Sequence, residues 1–334
     1  MKKLLMIIAA MTLIICSCQK ETQCRSCKEG KPIEVTVNIN GTAMSKSTGN
    51  TYANESKVNN LQILVFDGEG NIENYRSVDN EMSVTLLAAS GEKTVWAVVN
   101  APSLETLSTI DELNGALTTL TDNALDSFVM TGYVNEELTD GAVIAITVRR
   151  VVARVSVAKI TAAFEGTPGD DEKSLRLTGI YMLNVAGAAN YALDGEQTHW
   201  YNKLGHEDEE ADLFLYDALD HTIANNTSYE VEHAYYPYPN NVDISVKSIA
   251  EADRGTWSPR RSILCLEVEY DGTVGYYPVE LPVIERNKTY VIDEIVVTRA
   301  PGDKPYDPVD TGAATVSITV QDWELGLNLG TVII

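Results

Sequence analysis

The sequence predicts an all-β protein with one or a few short helices. Apolar residues recur with a period of two along many short segments, and turn residues such as Gly, Asn, Asp and Pro separate these segments. The long helical patterns that an α/β fold requires are absent. A chain of 334 residues is long enough for two domains of ordinary size. We therefore expect two β domains in tandem.

Residues 1–17 have the pattern of a signal peptide. Lys2 and Lys3 precede an apolar run over residues 4–15, and small residues follow. This run is too short for a relaxed membrane span, which needs about 20 residues. We therefore expect an exported and otherwise soluble protein.

The apolar run ends in Ile15-Cys16-Ser17-Cys18, which resembles a bacterial lipobox. In a lipobox, a cysteine that follows small residues is lipidated and becomes the first residue of the mature protein. Cys18 fits this role better than Cys16, because Ser17 precedes Cys18 whereas Ile15 precedes Cys16. The alternative is ordinary signal-peptidase cleavage. The polar residues 19–32 are interpreted as a flexible tether.

The three other cysteines indicate no metal or redox site. Cys24 and Cys27 form a CxxC pair in the tether, without a second ligand pair or a surrounding βαβ unit. We interpret this pair as a local disulfide or as having no role. Cys265 stands alone in a predicted strand and is expected to be a small buried apolar residue.

The first predicted strand of the mature chain is Ile33–Gly41. Its apolar residues alternate with polar ones and are Ile33, Val35, Val37 and Ile39. A polar loop follows over residues 42–50 and contains one basic residue, Lys46. A second, more buried strand is predicted at Val58–Asp67. The first strand is thus joined to the rest of the chain by a loop that a protease could cut.

The last residues, Glu324–Ile334, repeat the pattern of the first strand. The apolar residues that follow the period of two are Leu325, Leu327, Leu329 and Ile333. An apolar strand with a free edge promotes aggregation unless that edge is used. Addition to the open sheet of another subunit is one use. The alternative is that both terminal strands pair within one sandwich of the same chain.

Between these ends the sequence predicts further strands, one turn and one helix. The turn is Asp67–Asn71. The helix begins at a capping box formed by Thr109 and Glu112, and Ile110, Leu113, Leu117 and Leu120 follow helical spacing. The predicted strands are Ser83–Leu86, Thr94–Asn100, Ser127–Val134, Ala142–Thr147, Val151–Val157, Ser174–Leu183, Ser262–Tyr270 and Tyr276–Leu281.

Two regions leave alternatives open. Arg149, Arg150 and Arg154 lie at the predicted domain boundary, where they could bind an anion or form internal ion pairs; an acidic protein favours the ion pairs. Ala186–Gly255 is predicted to be long and irregular. Its aromatic residues could bind a sugar or a protein partner, or could serve packing alone.

Charge and motif content exclude several functions. The chain carries 25 basic and 48 acidic residues, and no basic patch could follow a nucleic acid backbone. The four histidines His199, His206, His221 and His233 form no metal-ligand pair, and no Gly-rich phosphate loop or nucleophile motif is present. Asp170-Asp171-Glu172 is interpreted as a solvated turn and lacks EF-hand spacing. We predict no enzyme activity, no metal and no cofactor.

Four segments, in this order behind a lipobox, resemble the fimbrial subunits of Bacteroidia of the FimA type, or type V pilins. They are Glu55–Asp67, an Arg-rich strand at Val148–Val157, the segment Ile284–Tyr290 and the segment Thr319–Trp323. The resemblance implies an all-β fold of two transthyretin-like β-sandwich domains in tandem. The expected division is 1–17, 18–46, 47–150 and 151–334.

The resemblance also implies a maturation route. Such proteins travel as palmitate-bearing lipoproteins to the cell outer membrane, where a trypsin-like surface protease cuts the loop after the first strand. That strand leaves, and the last strand of a neighbouring subunit fills the groove, so that other pilin subunits are the partners in an extracellular fimbrium. Lys46-Ser47 occupies the cleavage position here, whereas the best-known members carry Arg. The expected product is a homopolymer, in which this chain is a stalk subunit.

Two rival interpretations remain. Within the family, the chain could be a tip adhesin of the same fimbria. From another class, it could be a surface glycan-binding lipoprotein built of β-sandwiches. That protein would keep Ile33–Gly41 after maturation and would expose aromatic platforms.

Overall fold

A computed structural model describes residues 31–41, 55–164, 173–192, 197, 199–203, 215–230, 233–244, 257–305, 319–322 and 331–333. In these ranges the chain is almost entirely β, which confirms the predicted fold class. The strands are β1 Pro32–Gly41, β2 Asn60–Phe66, β3 Ile72–Asp79, β4 Ser83–Ala89, β5 Gly91–Val99, β6 Leu117–Thr119, β7 Met130–Leu138, β8 Ala142–Arg150, β9 Arg154–Val157, β10 Ile160–Ala162, β11 Ser174–Leu183, β12 Val185–Ala186, β13 Ala188–Asn190, β14 Trp200–Tyr201, β15 Tyr216–Ala224, β16 Thr227–Tyr229, β17 His233–Tyr235, β18 Ile263–Tyr270, β19 Thr273–Glu280, β20 Lys288–Ile292, β21 Glu294–Val297, β22 Thr319–Asp322 and β23 Thr331–Ile333.

The N-terminal strands form a sandwich from one folded sheet of order β3-β2-β5-β7-β8-β1-β4. The two layers remain connected where β7 meets β8, at the pairs Met130–Arg150 and Thr131–Arg149. Apolar side chains that alternate along β1, β2, β4, β5 and β8 point between the layers and form one buried cluster. The period of two in the sequence therefore marks the residues that fill this interior.

One short α-helix, α1 (Ile110–Gly115), covers the other face of β2 and β5. Thr109 caps it, because its hydroxyl accepts a hydrogen bond from Glu112 N at 3.2 Å. The predicted continuation to Leu120 is wrong. Leu117–Thr119 instead forms strand β6 and pairs with β13, since cross-strand pairing of two β-branched threonines outweighs a weak helical pattern.

The C-terminal strands form three four-stranded sheets, of order β17-β9-β20-β22, β16-β10-β21-β23 and β15-β11-β18-β19. Strand β11 has the predicted bounds, and Cys265 in β18 is fully buried as expected. The interpretation of Ala186–Gly255 as irregular is wrong for Tyr216–Ala224, which is a nine-residue strand. This strand lies at the edge of its sheet and is largely exposed, so its sequence lacks the apolar alternation of a buried strand.

A second apolar cluster is continuous from the outer face of β2 and β5, beneath α1, into the C-terminal sheets. The division of the chain into two domains at residue 150 stays a prediction. Among the described residues, no helix has the length and apolar character needed to cross a bilayer. Within the same ranges, no three His, Cys, Asp or Glu side chains come together in a group that could hold a metal.

Candidate functional site: the first strand and its groove

Strand β1 lies between two other strands of the N-terminal sandwich. It pairs antiparallel with β4 from Pro32 to Asn38 and parallel with β8 from Val35 to Gly41. The first strand of the described residues is therefore central in its layer, whereas β4 is at the edge. Neighbouring strands lie about 4.8 Å apart, so β4 and β8 are separated by about 10 Å across β1.

The predicted alternation of β1 is confirmed. Ile33, Val35, Val37 and Ile39 are each no more than 4% exposed, and they pack in the interior cluster of the sandwich. Glu34 and Asn40, which alternate with them, are exposed. The four apolar positions are therefore the points at which β1 is buried in the protein.

Among the described residues, β1 takes part in few hydrogen bonds that involve a side chain, and these lie at the surface. The Thr36 hydroxyl is 3.1 Å from that of Thr85, and Glu34 N donates to the Asp140 carboxylate at 3.4 Å. In the described part of the chain, no ion pair involves β1. Main-chain hydrogen bonds and apolar packing hold the strand, and neither depends on one particular sequence.

A groove one strand wide would remain if β1 were absent. Its walls are β4 and β8, and its floor is formed by the inward side chains of β2 and β5. The apolar residues that line it are Leu61, Ile63, Val65, Val84, Leu86, Ala88, Val95, Ala97, Val99, Ile146 and Val148. Such a groove suits any extended segment with apolar residues at every second position.

The chain that follows the loop is fixed beside the C-terminal sheets. Glu55 is only 2% exposed, and its carboxylate accepts a hydrogen bond from the Tyr236 hydroxyl at 2.8 Å. The same carboxylate oxygen is 3.5 Å from Arg154 Nε, and Arg150 Nε donates to the Glu55 carbonyl at 3.0 Å. The predicted internal ion pair is confirmed for Arg154.

Arg286 ties β7 and β8 to the segment before β20. Its guanidinium donates to Arg150 O at 3.1 Å and to the Thr131 hydroxyl at 3.1 Å, and also bonds Arg149 O. Burial, together with the charge of Arg149, lowers the pKa of Arg286 to about 10. The sequence singled out this residue only through the resemblance of Ile284–Tyr290, because an isolated arginine carries no periodic signal.

The other predicted site residues lie mostly outside the described residues. These are the lipidation candidate Cys18, the cleavage pair Lys46 and Ser47, and the tail residues Leu325, Leu327 and Leu329. Ile333 lies in β23, which pairs in parallel with β21 of the same chain. The last described residues are thus placed on the protein's own C-terminal sheet.

Comparison with known proteins finds similarity to a fimbrial family model and to several solved structures. Residues 33–167 match the family model described as Major fimbrial subunit protein (FimA). A candidate cell adhesion protein from Bacteroides eggerthii shares the fold with a TM-score of 0.63 and 15% identity, over 91% of this chain and 98% of that one. No curated protein matches the chain.

Two solved structures from Porphyromonas gingivalis also share the fold. A fimbrilin (fimA) has a TM-score of 0.57 and 16% identity, over 90% of this chain and 97% of that one. A tip fimbrial protein with a C-terminal truncation has a TM-score of 0.55 and 14% identity, over 88% of this chain and 100% of that one. At these identities the likeness establishes a common fold.

Proposed function

We propose that the chain is a stalk pilin assembled by strand exchange. The match of residues 33–167 to the model of the major fimbrial subunit (FimA) family, a family of structural cell-surface proteins, supports this proposal. The pilin role supports adhesion, as the fold shared with fimbrilin and cell adhesion proteins suggests. In this proposal β1 is a temporary strand that leaves the subunit on maturation. The C-terminal tail of another subunit then takes its place.

The observation that carries the proposal is the placement of β1. The strand is central in its layer, yet it is the first element of the described residues, and the polar sequence that follows it contains a single base, Lys46. Its attachment consists of main-chain hydrogen bonds and four apolar side chains, which an equivalent strand can reproduce. Leu325, Leu327, Leu329 and Ile333 offer the same period of two at the other end of the chain.

The loop around Lys46 is the proposed cleavage site, with Ser47 as the first residue of the mature protein. Lys46→Ala should leave full-length, monomeric protein, because a trypsin-like surface protease needs a base in this position. Lys57→Ala is a suitable control, since Lys57 is exposed but lies after the anchored Glu55 and pairs only with exposed Asp126 at 3.5 Å. N-terminal sequencing of protein shed from cells measures the cut.

A mature start at Ser47 in the parent and in Lys57→Ala, and its loss in Lys46→Ala, is the expected result. Shed protein that retains Ile33–Gly41 would contradict the proposal and support a glycan-binding lipoprotein instead. Fibres of normal length from Lys46→Ala would exclude Lys46 as the site of the cut.

Cys18 is the proposed lipid attachment site that carries the precursor to the outer membrane. Cys18→Ala should abolish incorporation of a labelled fatty acid and prevent surface delivery. Cys16→Ala is the matched control and should be labelled normally, because Ile15 precedes Cys16. Loss of label in the Cys16 variant, or unchanged label in the Cys18 variant, would show that the assignment is wrong.

A further inference from the structure

Strand β4 is hydrogen-bonded along both edges, although it has only one strand neighbour in the described sheet. At the two ends of β4, Ile39 N donates to Met82 O at 2.9 Å and Ser90 N donates to Lys31 O at 3.2 Å. The main-chain N–H and C=O groups of the even-numbered residues of β4 therefore point toward β1. Main-chain groups of successive residues point to opposite edges of a strand. Leu87 and Ala89 therefore direct their main-chain groups away from β1, toward the outer edge.

Side chains from the opposite layer bond this outer edge. Ala89 N donates to Glu73 Oε1, and Asn74 Nδ2 donates to Leu87 O at 2.5 Å. The second carboxylate oxygen of Glu73 is 2.7 Å from Lys93 Nζ, which comes from β5. We call Glu73, Asn74 and Lys93 the β4 clamp.

A β-bulge makes this arrangement possible. Val65 pairs with Asn74 but Phe66 pairs with Ile72, so Glu73 is an extra residue in β3. A bulge redirects side chains from the regular alternation. Glu73 and Asn74 are consequently both buried, each 2% exposed, although they are adjacent in sequence.

Stability alone does not account for the clamp. Taking a carboxylate and an ammonium out of water is costly, and replacing a buried ion pair by apolar residues is often neutral or stabilising. The side chains of Lys93 and Glu73 are 7% and 2% exposed, so both charges are buried. The distinctive contribution of the pair is that Lys93 fixes the Glu73 carboxylate, which accepts the hydrogen bond from Ala89 N in β4.

We propose that the β4 clamp keeps β4 in place while β1 is absent, and so keeps the groove open for the incoming strand. The inference rests on the proposed strand exchange. Without β1, the inner edge of β4 loses its hydrogen bonds, and the strand would detach or collapse into the groove if nothing held its outer edge. The hydrogen bonds of the clamp do not depend on β1, because Glu73, Asn74 and Lys93 belong to the layer that β1 does not pair with. Because the clamp already holds β4 in position, the incoming strand does not have to order β4 when it docks, and less conformational entropy is lost.

The clamp can be tested on a full chain that carries a site-specific protease sequence in the loop 42–54. After cutting, the released β1 segment is exchanged against an excess of a labelled synthetic peptide with the sequence of Glu324–Ile334, and the rate of uptake is measured. In Glu73→Leu/Lys93→Met the charge pair is replaced by apolar residues and Ala89 N loses its acceptor. Uptake should slow about tenfold, which corresponds to about 1.4 kcal/mol.

Glu73→Gln/Lys93→Met is the rescue variant. It removes the same charges but keeps an amide oxygen for Ala89 N, and it should take up the peptide at close to the parental rate. Equal rates in both double variants and the parent would overturn the clamp and leave strand exchange standing. Asn74→Ala removes the bond to Leu87 O and the bond that Asn74 Oδ1 accepts from Tyr75 N at 2.7 Å. It provides a second comparison if Glu73→Leu/Lys93→Met does not fold.

Amide hydrogen exchange separates failure of the clamp from failure of the proposed function. If the parental protein takes up no peptide, strand exchange through the groove is wrong, and the protection of the Ala89 amide in the β1-free subunit then decides the clamp. Protection in the parent that is lost in Glu73→Leu/Lys93→Met supports the clamp. Rapid exchange of that amide in the β1-free parent overturns it.

Discussion

Removal of β1 from the folded subunit should lower the free energy of unfolding by roughly 6–12 kcal/mol. The strand buries Ile33, Val35, Val37 and Ile39 to 4% exposure or less, and each such side chain contributes about 1.5–3 kcal/mol. A domain is stable by only about 5–15 kcal/mol in total. The subunit without β1 should therefore be marginally folded until another strand occupies the groove.

This expectation is checked by chemical denaturation of the protein cut in the loop 42–54, before and after the β1 segment is removed. Cutting alone should change the midpoint little, removal should lower it strongly, and a synthetic peptide of residues 31–41 should restore it. A matched pair of point variants refines the test: Val37→Asp should cost roughly 3–5 kcal/mol because it buries an unpaired charge, whereas Asn40→Asp at an exposed position should be tolerated. A loss below about 2 kcal/mol on removal of β1 would contradict its burial as the main attachment.

Deletion of Leu325–Ile334 should give a protein that folds, is exported and is cut, yet remains monomeric. In the proposed exchange this tail enters the first sandwich of a neighbouring subunit, where main-chain hydrogen bonds supply affinity and alternate side chains fill the groove. Burial of its four apolar side chains, together with the main-chain hydrogen bonds, opposes the cost of ordering the tail in the groove, which is about 1–2 kcal/mol per backbone residue. Without the tail, the four alternating apolar residues proposed to fill the groove, Leu325, Leu327, Leu329 and Ile333, are lost.

Single substitutions in the tail test the alternation directly. Leu327→Asp places a charge at an inward position and should block polymerisation nearly as completely as the deletion, since an unpaired buried carboxylate is costly. Asn328→Asp adds the same charge at the adjacent outward position and should polymerise normally. Size-exclusion chromatography and electron microscopy measure the outcome. Fibres from the truncated protein, or equal behaviour of the two point variants, would rule out exchange through this tail.

Apolar periodicity in the sequence predicted the strands that have one buried face. The inward residues of β1 follow from a period of two, because burial of one face is what selects those residues. The bounds of Ser174–Leu183 were also predicted, although a bulge between Leu177 and Gly179 shifts its alternation. The helix after Thr109 was predicted too long, since tertiary pairing of Leu117–Thr119 overrides local spacing. Tyr216–Ala224 was missed because an exposed edge strand needs no apolar alternation.

The polar parts of the candidate site had no such signal. Glu73 and Lys93 are far apart in sequence and come together only through a bulge and the packing of two layers. Arg286 is likewise defined by carbonyl groups of Arg149 and Arg150, which no side-chain pattern reveals. Charged residues in an interior are specified by three-dimensional neighbours, whereas apolar faces are specified by spacing along the chain.

The pairing of β1, parallel to β8 and antiparallel to β4, gives the groove a direction. A replacement strand that reproduces these hydrogen bonds must run the same way as β1. In the proposed strand exchange, the contact between two subunits would be heterologous: a tail on one surface would meet a groove on another, and no two-fold axis would relate them. Heterologous contacts that do not close into a ring generate open helical filaments. Every subunit in such a filament points the same way, so its two ends differ chemically, one presenting an empty groove and the other an unused tail.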